Sequence, residues 1–309
     1  MIADDRLRIA LSRGPVCGSS GSPASVPSYN GQDAKSGGFA VQPVRIGAVS
    51  YLNTKPLIHD LESLAPEAEL ILDLPSRLAD RLAADDLDVA LIPIVEYFRA
   101  GNYELLPNIS IASNGPVLSV TLFSRVPWPR IRSVALDEGS RTSAALTQTI
   151  LRHRYGVSPR VEALPIDADP EKLETDAVLL IGDRAMHACL PVFAHAYDLG
   201  QEWHEWTGLP FVFAAWAVRP GADLGNVPEA LEEAKRRGLA AVGPIAARES
   251  RRLGLDAGFC RRYLANVLRF DLGPREQAGM QKFRDLAASL GLVPQAARIA
   301  IRQPFATSM

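Results

Sequence analysis

The chain has 309 residues, of which 33 are Lys or Arg and 35 are Asp or Glu, for a net charge of −2; 47% are hydrophobic and 22% charged. That balance excludes an intrinsically disordered chain and a protein that holds nucleic acid through bulk positive charge. The length suits two domains at roughly 100–200 residues each. The three scattered cysteines (Cys17, Cys189, Cys260) exclude a disulfide framework and a zinc site of paired cysteines, which fits a reducing compartment.

The first residues, Met-Ile-Ala-Asp-Asp-Arg, lack the basic start and apolar stretch of a secretory signal, and no run of about 18 apolar residues follows anywhere. The expectation is a cytoplasmic protein without a membrane span. From Ser12 to Pro43, 17 of 32 residues are Ser, Gly or Pro. Such a stretch buries too little apolar surface to offset its ordering entropy, so residues 1–43 are expected to form a disordered extension. Folding is expected to begin at Val44.

Arg45 to Val49 is a short apolar run suited to a buried strand. It leads through Ser50-Tyr51-Leu52-Asn53-Thr54 into a helical pattern with Leu57, Leu61 and Leu64, which Thr54 can cap and whose first turn tolerates Pro56. Ala68 to Leu74 reads as a second strand, Pro75 opens a helix, and Val89 to Ile94 reads as a third strand. This alternation predicts βαβ units and a parallel sheet. A second α/β set follows the extended stretch 117–124: a strand from Ser133 to Leu136, a helix from Ser140 to about Tyr155, and strands at Arg160 to Pro165 and Ala177 to Ile181. Phe211 to Val218 is a further apolar strand, and the rest reads as helices near 228–238, 244–253, 258–270 and 274–291, punctuated by Gly and Pro.

An α/β set, a link, a second α/β set, a second link and a helical tail have a simple spatial solution. Residues 44–122 plus 217–309 form one lobe and 123–216 the other, with two extended crossings as hinges, as in bilobal binding proteins. The ligand is then expected in the cleft, at the carboxyl ends of the strands.

Four segments should converge there. Ser50, Tyr51 and Asn53 offer hydroxyls and an amide at a strand-to-helix turn, or serve only as turn and cap residues. Ser119 lies at the first crossing, in Gly115-Pro116-Val117-Leu118-Ser119, which can equally be a plain turn and strand. Ser140, Arg141, Thr142 and Ser143 open a helix whose free N–H groups and dipole favour an anion, with Arg141 able to grip a carboxylate through two bonds; otherwise Ser140 is an ordinary cap and Arg141 is solvated. Asp183, in Gly182-Asp183-Arg184, can accept from a substrate hydroxyl or cap a helix. His204, in Trp203-His204-Glu205-Trp206, can approach the cleft or pack, and the basic clusters near 235–237, 251–252 and 261–262 read as solvated helix faces. The sequence carries no G-x-S-x-G, H-E-x-x-H, P-loop or G-x-G-x-x-G motif. A cleft of hydroxyls, an amide and one arginine suits a small carboxylic acid; no metal, dinucleotide or other cofactor is indicated, and no nucleic acid or membrane partner. The chain is expected to act as a monomer or homodimer.

An ordered set of motifs adds a family resemblance. Val49-Ser50-Tyr51-Leu52-Asn53-Thr54-Lys55-Pro56-Leu57 resembles the opening motif of chorismate dehydratases, enzymes of the futalosine route to menaquinone. Gly115-Pro116-Val117 with Ser119-Val120, Asp137 with Gly139 to Ser143, Leu180 to Asp183, Gly208 to Phe213 with Trp216, and a tail from Tyr263-Leu264 through Phe270-Asp271-Leu272-Gly273 to Gly279-Met280 and Phe283 are similar in the same order. The resemblance spans about Val44 to Leu292. It implies a type II periplasmic-binding-protein-like fold and a hydro-lyase that converts chorismate into 3-[(1-carboxyvinyl)oxy]benzoate and water. Asn53 and Ser119 would then orient the reacting face and the departing hydroxyl, while residues 140–143 hold a carboxylate. The proton would go to Asp183 or to the substrate's own enolpyruvyl carboxylate. A solute-binding protein for a small carboxylic acid is the competing expectation.

Overall fold

The computed structural model describes residues 42–303, so the expected N-terminal extension lies, but for its last two residues, outside the described residues. The chain begins with strands β1 (Arg45–Val49), β2 (Glu69–Asp73), β3 (Val89–Pro93) and β4 (Glu104–Ser113), with helices α1 (Leu61–Leu64), α2 (Pro75–Ala83) and α3 (Ile94–Ala100) among them. Next come β5 (Val120–Ser124), β6 (Ser133–Asp137), α4 (Arg141–Thr149), β7 (Arg160–Leu164), β8 (Ala177–Ile181), α5 (Gly182–His187), β9 (His195–Asp198) and α6 (Leu199–Thr207). The remainder is β10 (Phe211–Val218), α7 (Val227–Ala240), α8 (Val242–Leu253), α9 (Ala257–Arg262), β11 (Leu268–Arg269) and α10 (Pro274–Ser289).

Two sheets organise these elements, with orders β11-β4-β10-β3-β1-β2 and β7-β6-β8-β5-β9. The first therefore draws strands from both sides of the segment that builds the second. Each is parallel at its core, β1 with β2 and β3 and β6 with β7 and β8, and each takes antiparallel members. β10 runs antiparallel to β3 and β4, and β5 antiparallel to β8 and β9. The expected parallel βαβ pairing holds for β1–β3 and β6–β8, while β5 and β10 reach their sheets from the opposite sheet and enter against the direction of those strands. β5 lies wholly in the second sheet and β10 wholly in the first. The chain thus passes between sheets at residues 114–119 and again at 199–210.

β3 and β8 are buried along their whole length, as strands covered on both faces must be. The main core runs continuously from Ile46, Leu91 and Ile92 of the first sheet to Leu122, Leu136 and Leu179 of the second. A smaller cluster around Phe123, Val178 and Phe193 closes the second sheet's other face. At the second passage Trp203 of α6 meets Phe211 and Phe283 edge-on, with centroids at 5.2 and 6.2 Å, and its indole N–H reaches the Pro210 carbonyl at 3.2 Å. His204 belongs to α6 beside this packing.

Two helices depart from expectation. Leu52–Ile58 is a 3₁₀ helix that starts after Tyr51 without a side-chain cap, so Thr54 lies inside it rather than capping it. Pro56 offers no N–H to an α-helical ladder, and Asp60 turns left-handed (φ 57°), which leaves α1 only four residues. The expected helix at 258–270 stops at Arg262, widens into a π turn at Tyr263–Val267 and ends in β11.

Candidate active site

Where the two sheets meet, a cavity opens with about 520 Å³ of space, mouth included. Val49, Pro93 and Ile181, the carboxyl ends of β1, β3 and β8, line it together with Phe213 and Ala214 of β10. The polar lining is Tyr51, Asn53, Ser119, Ser140 and Ser143. These are neutral donors set in an apolar wall, the usual make-up of a small-molecule site.

Tyr51 reaches across to the second sheet and covers Gly182. A Cβ on that glycine would lie 3.0–3.2 Å from the tyrosine ring, and its φ of 60° is left-handed, so glycine is required there twice over. Burial, reinforced by Asp137 and Asp183, pushes the Tyr51 phenol up and keeps it a neutral donor. Ser140 caps α4 through the Ser143 N–H at 3.3 Å, and the two hydroxyls lie 2.8 Å apart. The first turn of α4 therefore faces the cavity with its positive dipole end.

Ser119 is 3% exposed and accepts from the Tyr263 phenol at 2.9 Å. The passage that carries Ser119 is held under strain. Leu118 has φ 61°, a conformation costly for a side chain of its size. Asp198 stabilises it by accepting from the N–H groups of Val117 (3.0 Å) and Leu118 (2.6 Å) while capping α6 at Gln201 (3.0 Å). Gly200 permits this approach, since a Cβ there would sit 2.6 Å from the Gly115 carbonyl oxygen.

Four expected site residues do not line the cavity. Ser50 donates its N–H to the Asp73 carbonyl at 3.3 Å. Thr142, 1% exposed, accepts from the Val95 N–H at 3.2 Å. The Arg141 guanidinium grips Asp80 through two bonds of 2.8 and 2.9 Å, with Glu96 at 3.4 Å, and the Asp80 bonds raise its already high pKa further. The physical reason is helix phase. Residues 140 and 143 share one face of α4, while 141 and 142 turn toward α2 and α3. Arg141 thus ties α4 of the second sheet to helices of the first instead of gripping a ligand. Asp183 accepts from the Leu52 N–H at 3.3 Å, a second tie between the sheets; burial raises its pKa, opposed by that bond and by Arg252, His187 and Lys55.

The guanidinium pair with Asp80 is partly exposed, so its contribution is modest. Arg141→Gln is expected to raise KM about 2–5-fold by loosening the tie between α4 and the helices of the first sheet, with kcat nearly unchanged. A kcat loss of about 100-fold in steady-state assays would instead put Arg141 on the substrate.

The fold is that of a binding-protein-like α/β protein, with a cavity where its two sheets meet. Solved structures agree on the fold. A protein of Archaeoglobus fulgidus matches with a TM-score of 0.66 at 17% identity, covering 82% of this chain and all of that one. The periplasmic aliphatic sulphonate binding protein of Escherichia coli matches at 0.58 and 19%, covering 86% of this chain and 93% of that one. The profile of a menaquinone-biosynthesis family matches residues 44–289. A chorismate dehydratase of Thermus thermophilus is 34% identical over 82% of this chain and 97% of its own. That of Campylobacter jejuni is 26% identical over 80% and 98%. The chain belongs to the menaquinone-biosynthesis family.

Tyr263 and Asp198 adjoin the cavity lining through Ser119 and its passage, and the sequence patterns singled out neither as a site candidate. Tyr263 was visible only as part of the tail motif. Asp198 carried a local signal, an acidic cap just before α6. Among the described residues no helix is long and apolar enough to cross a membrane, and no His, Cys, Asp and Glu group is arranged to hold a metal ion.

Proposed function

We propose that the protein is a hydro-lyase that removes water from chorismate to give 3-[(1-carboxyvinyl)oxy]benzoate. The observation that carries the reading is the convergence of Asn53, Ser119, Ser140 and Ser143 on one apolar cavity, in a chain 34% identical to a chorismate dehydratase along nearly that enzyme's whole length.

The substrate brings its own driving force. Breaking the C3–H bond supplies the electron pair of the C3–C4 double bond, the C4–O bond breaks, and the ring becomes aromatic. The leaving hydroxyl takes up a proton and departs as water. The C3 proton is vinylogous to the ring carboxylate, so donors on that carboxylate stabilise charge as the proton leaves. Ser140, Ser143 and the start of α4 are suited to that role. Asn53 and Ser119 face the reacting carbon and the departing hydroxyl. No oxidation state changes, so the chemistry asks for no electron carrier. The lobes, drawn at the passages 114–119 and 199–210, would part to admit the ring and close to exclude water. A cytoplasmic monomer or homodimer suits this work.

The enolpyruvyl carboxylate is the base this reading favours, because Asp183 lies outside the cavity lining and is occupied by the Leu52 N–H. Asp183→Asn keeps an oxygen for that N–H and is expected to retain turnover within about threefold. A base at Asp183 would cost about 10²–10⁴-fold when neutralised. The pH profile separates the two independently. Burial raises the Asp183 pKa, so a base there would place the acid limb of kcat/KM above the usual carboxylate range, and Asp183→Asn would erase that limb. With the substrate carboxylate as base, the acid limb is expected within the usual carboxylate range and unchanged in Asp183→Asn.

Incubation of the purified protein with chorismate, without added cofactor, should yield a product lighter by one water in mass spectrometry. Chorismate that binds but stays intact would favour a solute-binding protein.

A further inference from the structure

We propose that Tyr263 is a positioning residue of this site, whose buried phenol fixes the Ser119 hydroxyl as a hydrogen-bond donor to the cavity. The inference rests on the dehydratase reading for its catalytic consequence, though its geometry stands apart from it. A serine hydroxyl is a rotor with one proton and two lone pairs, so a lone serine presents either polarity to a ligand. Here Tyr263, fully buried, gives its single proton to the Ser119 oxygen at 2.9 Å. The bond then runs from Tyr263 to Ser119, and the Ser119 proton is left for the cavity that Ser119 lines.

Two further features fit. Burial raises the phenol's pKa, so Tyr263 keeps its proton at any working pH and the polarity does not reverse. The residue also opens the π turn at Tyr263–Val267, a widening of the helix of the kind that recurs at functional sites. A cavity donor is what a departing hydroxyl or an accumulating negative charge requires; a serine turned to accept would oppose both.

Tyr263→Phe removes the hydroxyl and keeps the ring, including its stack on Phe259 at 6.4 Å. It is expected to lower kcat about 10–100-fold with KM for chorismate within about threefold. In a Ser119→Ala background the same change should cost less than about threefold more, because Tyr263 acts through Ser119. Full additivity of the two changes, a rise in KM at unchanged kcat, or wild-type kcat in Tyr263→Phe would each overturn the proposal. Should Tyr263→Phe not fold, the wild type carries the test. With tyrosine labelled at Cζ and equal H₂O and D₂O, the Tyr263 carbon should give two resolved lines that shift in Ser119→Ala. A single averaged line, indifferent to Ser119→Ala, would overturn the proposal. Two resolved lines in a protein that leaves chorismate intact would remove the dehydratase reading and leave the hydroxyl polarity standing.

Discussion

Asn53→Ala is expected to lower kcat about 10²–10³-fold, the cost of losing one preorganised donor to developing charge. Asn53 lines the cavity beside Ser119. Its side-chain hydrogen bond is with the neighbouring Thr54 hydroxyl at 3.3 Å, so little of the fold depends on it. The thermal midpoint should therefore stay within a few degrees, and chorismate affinity by calorimetry within about tenfold, while product formation collapses. A kcat within about threefold of wild type would show that the amide does not act on the transition state.

Asp198→Ala is expected to cost about 3 kcal/mol of stability, from leaving the N–H groups of Val117, Leu118 and Gln201 without their acceptor. In a chain of this size that lowers the thermal midpoint by roughly 10 °C. The loss also releases the left-handed Leu118, and the displaced passage takes Ser119 away from Tyr263, so activity should fall well below what partial unfolding accounts for. Asp198→Asn keeps one acceptor oxygen and should recover much of both losses. Thermal melts and turnover on the same preparations check this. A destabilised Asp198→Ala protein with wild-type kcat at low temperature would show that the passage does not set the site.

Some of this architecture was legible in the residues. β8 and β10 announce themselves as unbroken apolar runs from Ala177 to Ile181 and from Phe211 to Val218, and the structure places strands at those residues. The opening turn of α4 was legible as a segment but not in its phase. Four consecutive polar residues read alike, whereas 100° per residue lets only Ser140 and Ser143 face the cavity. β4 was missed because Pro107 and a left-handed Asn108 (φ 61°) interrupt its pattern. The antiparallel entry of β10 follows from passing between sheets, which no local period encodes. Tyr263 meets Ser119 only through tertiary packing, which no local pattern encodes.

Removal of the C3 proton and the C4 hydroxyl from one bound ring is open to an isotopic test: chorismate carrying deuterium at C3, with the product weighed by mass spectrometry. The expected product is lighter by HDO, formed readily by the wild type and only slowly by Asn53→Ala. A product that retains the label, or labelled chorismate that binds and is released unchanged, would contradict that removal.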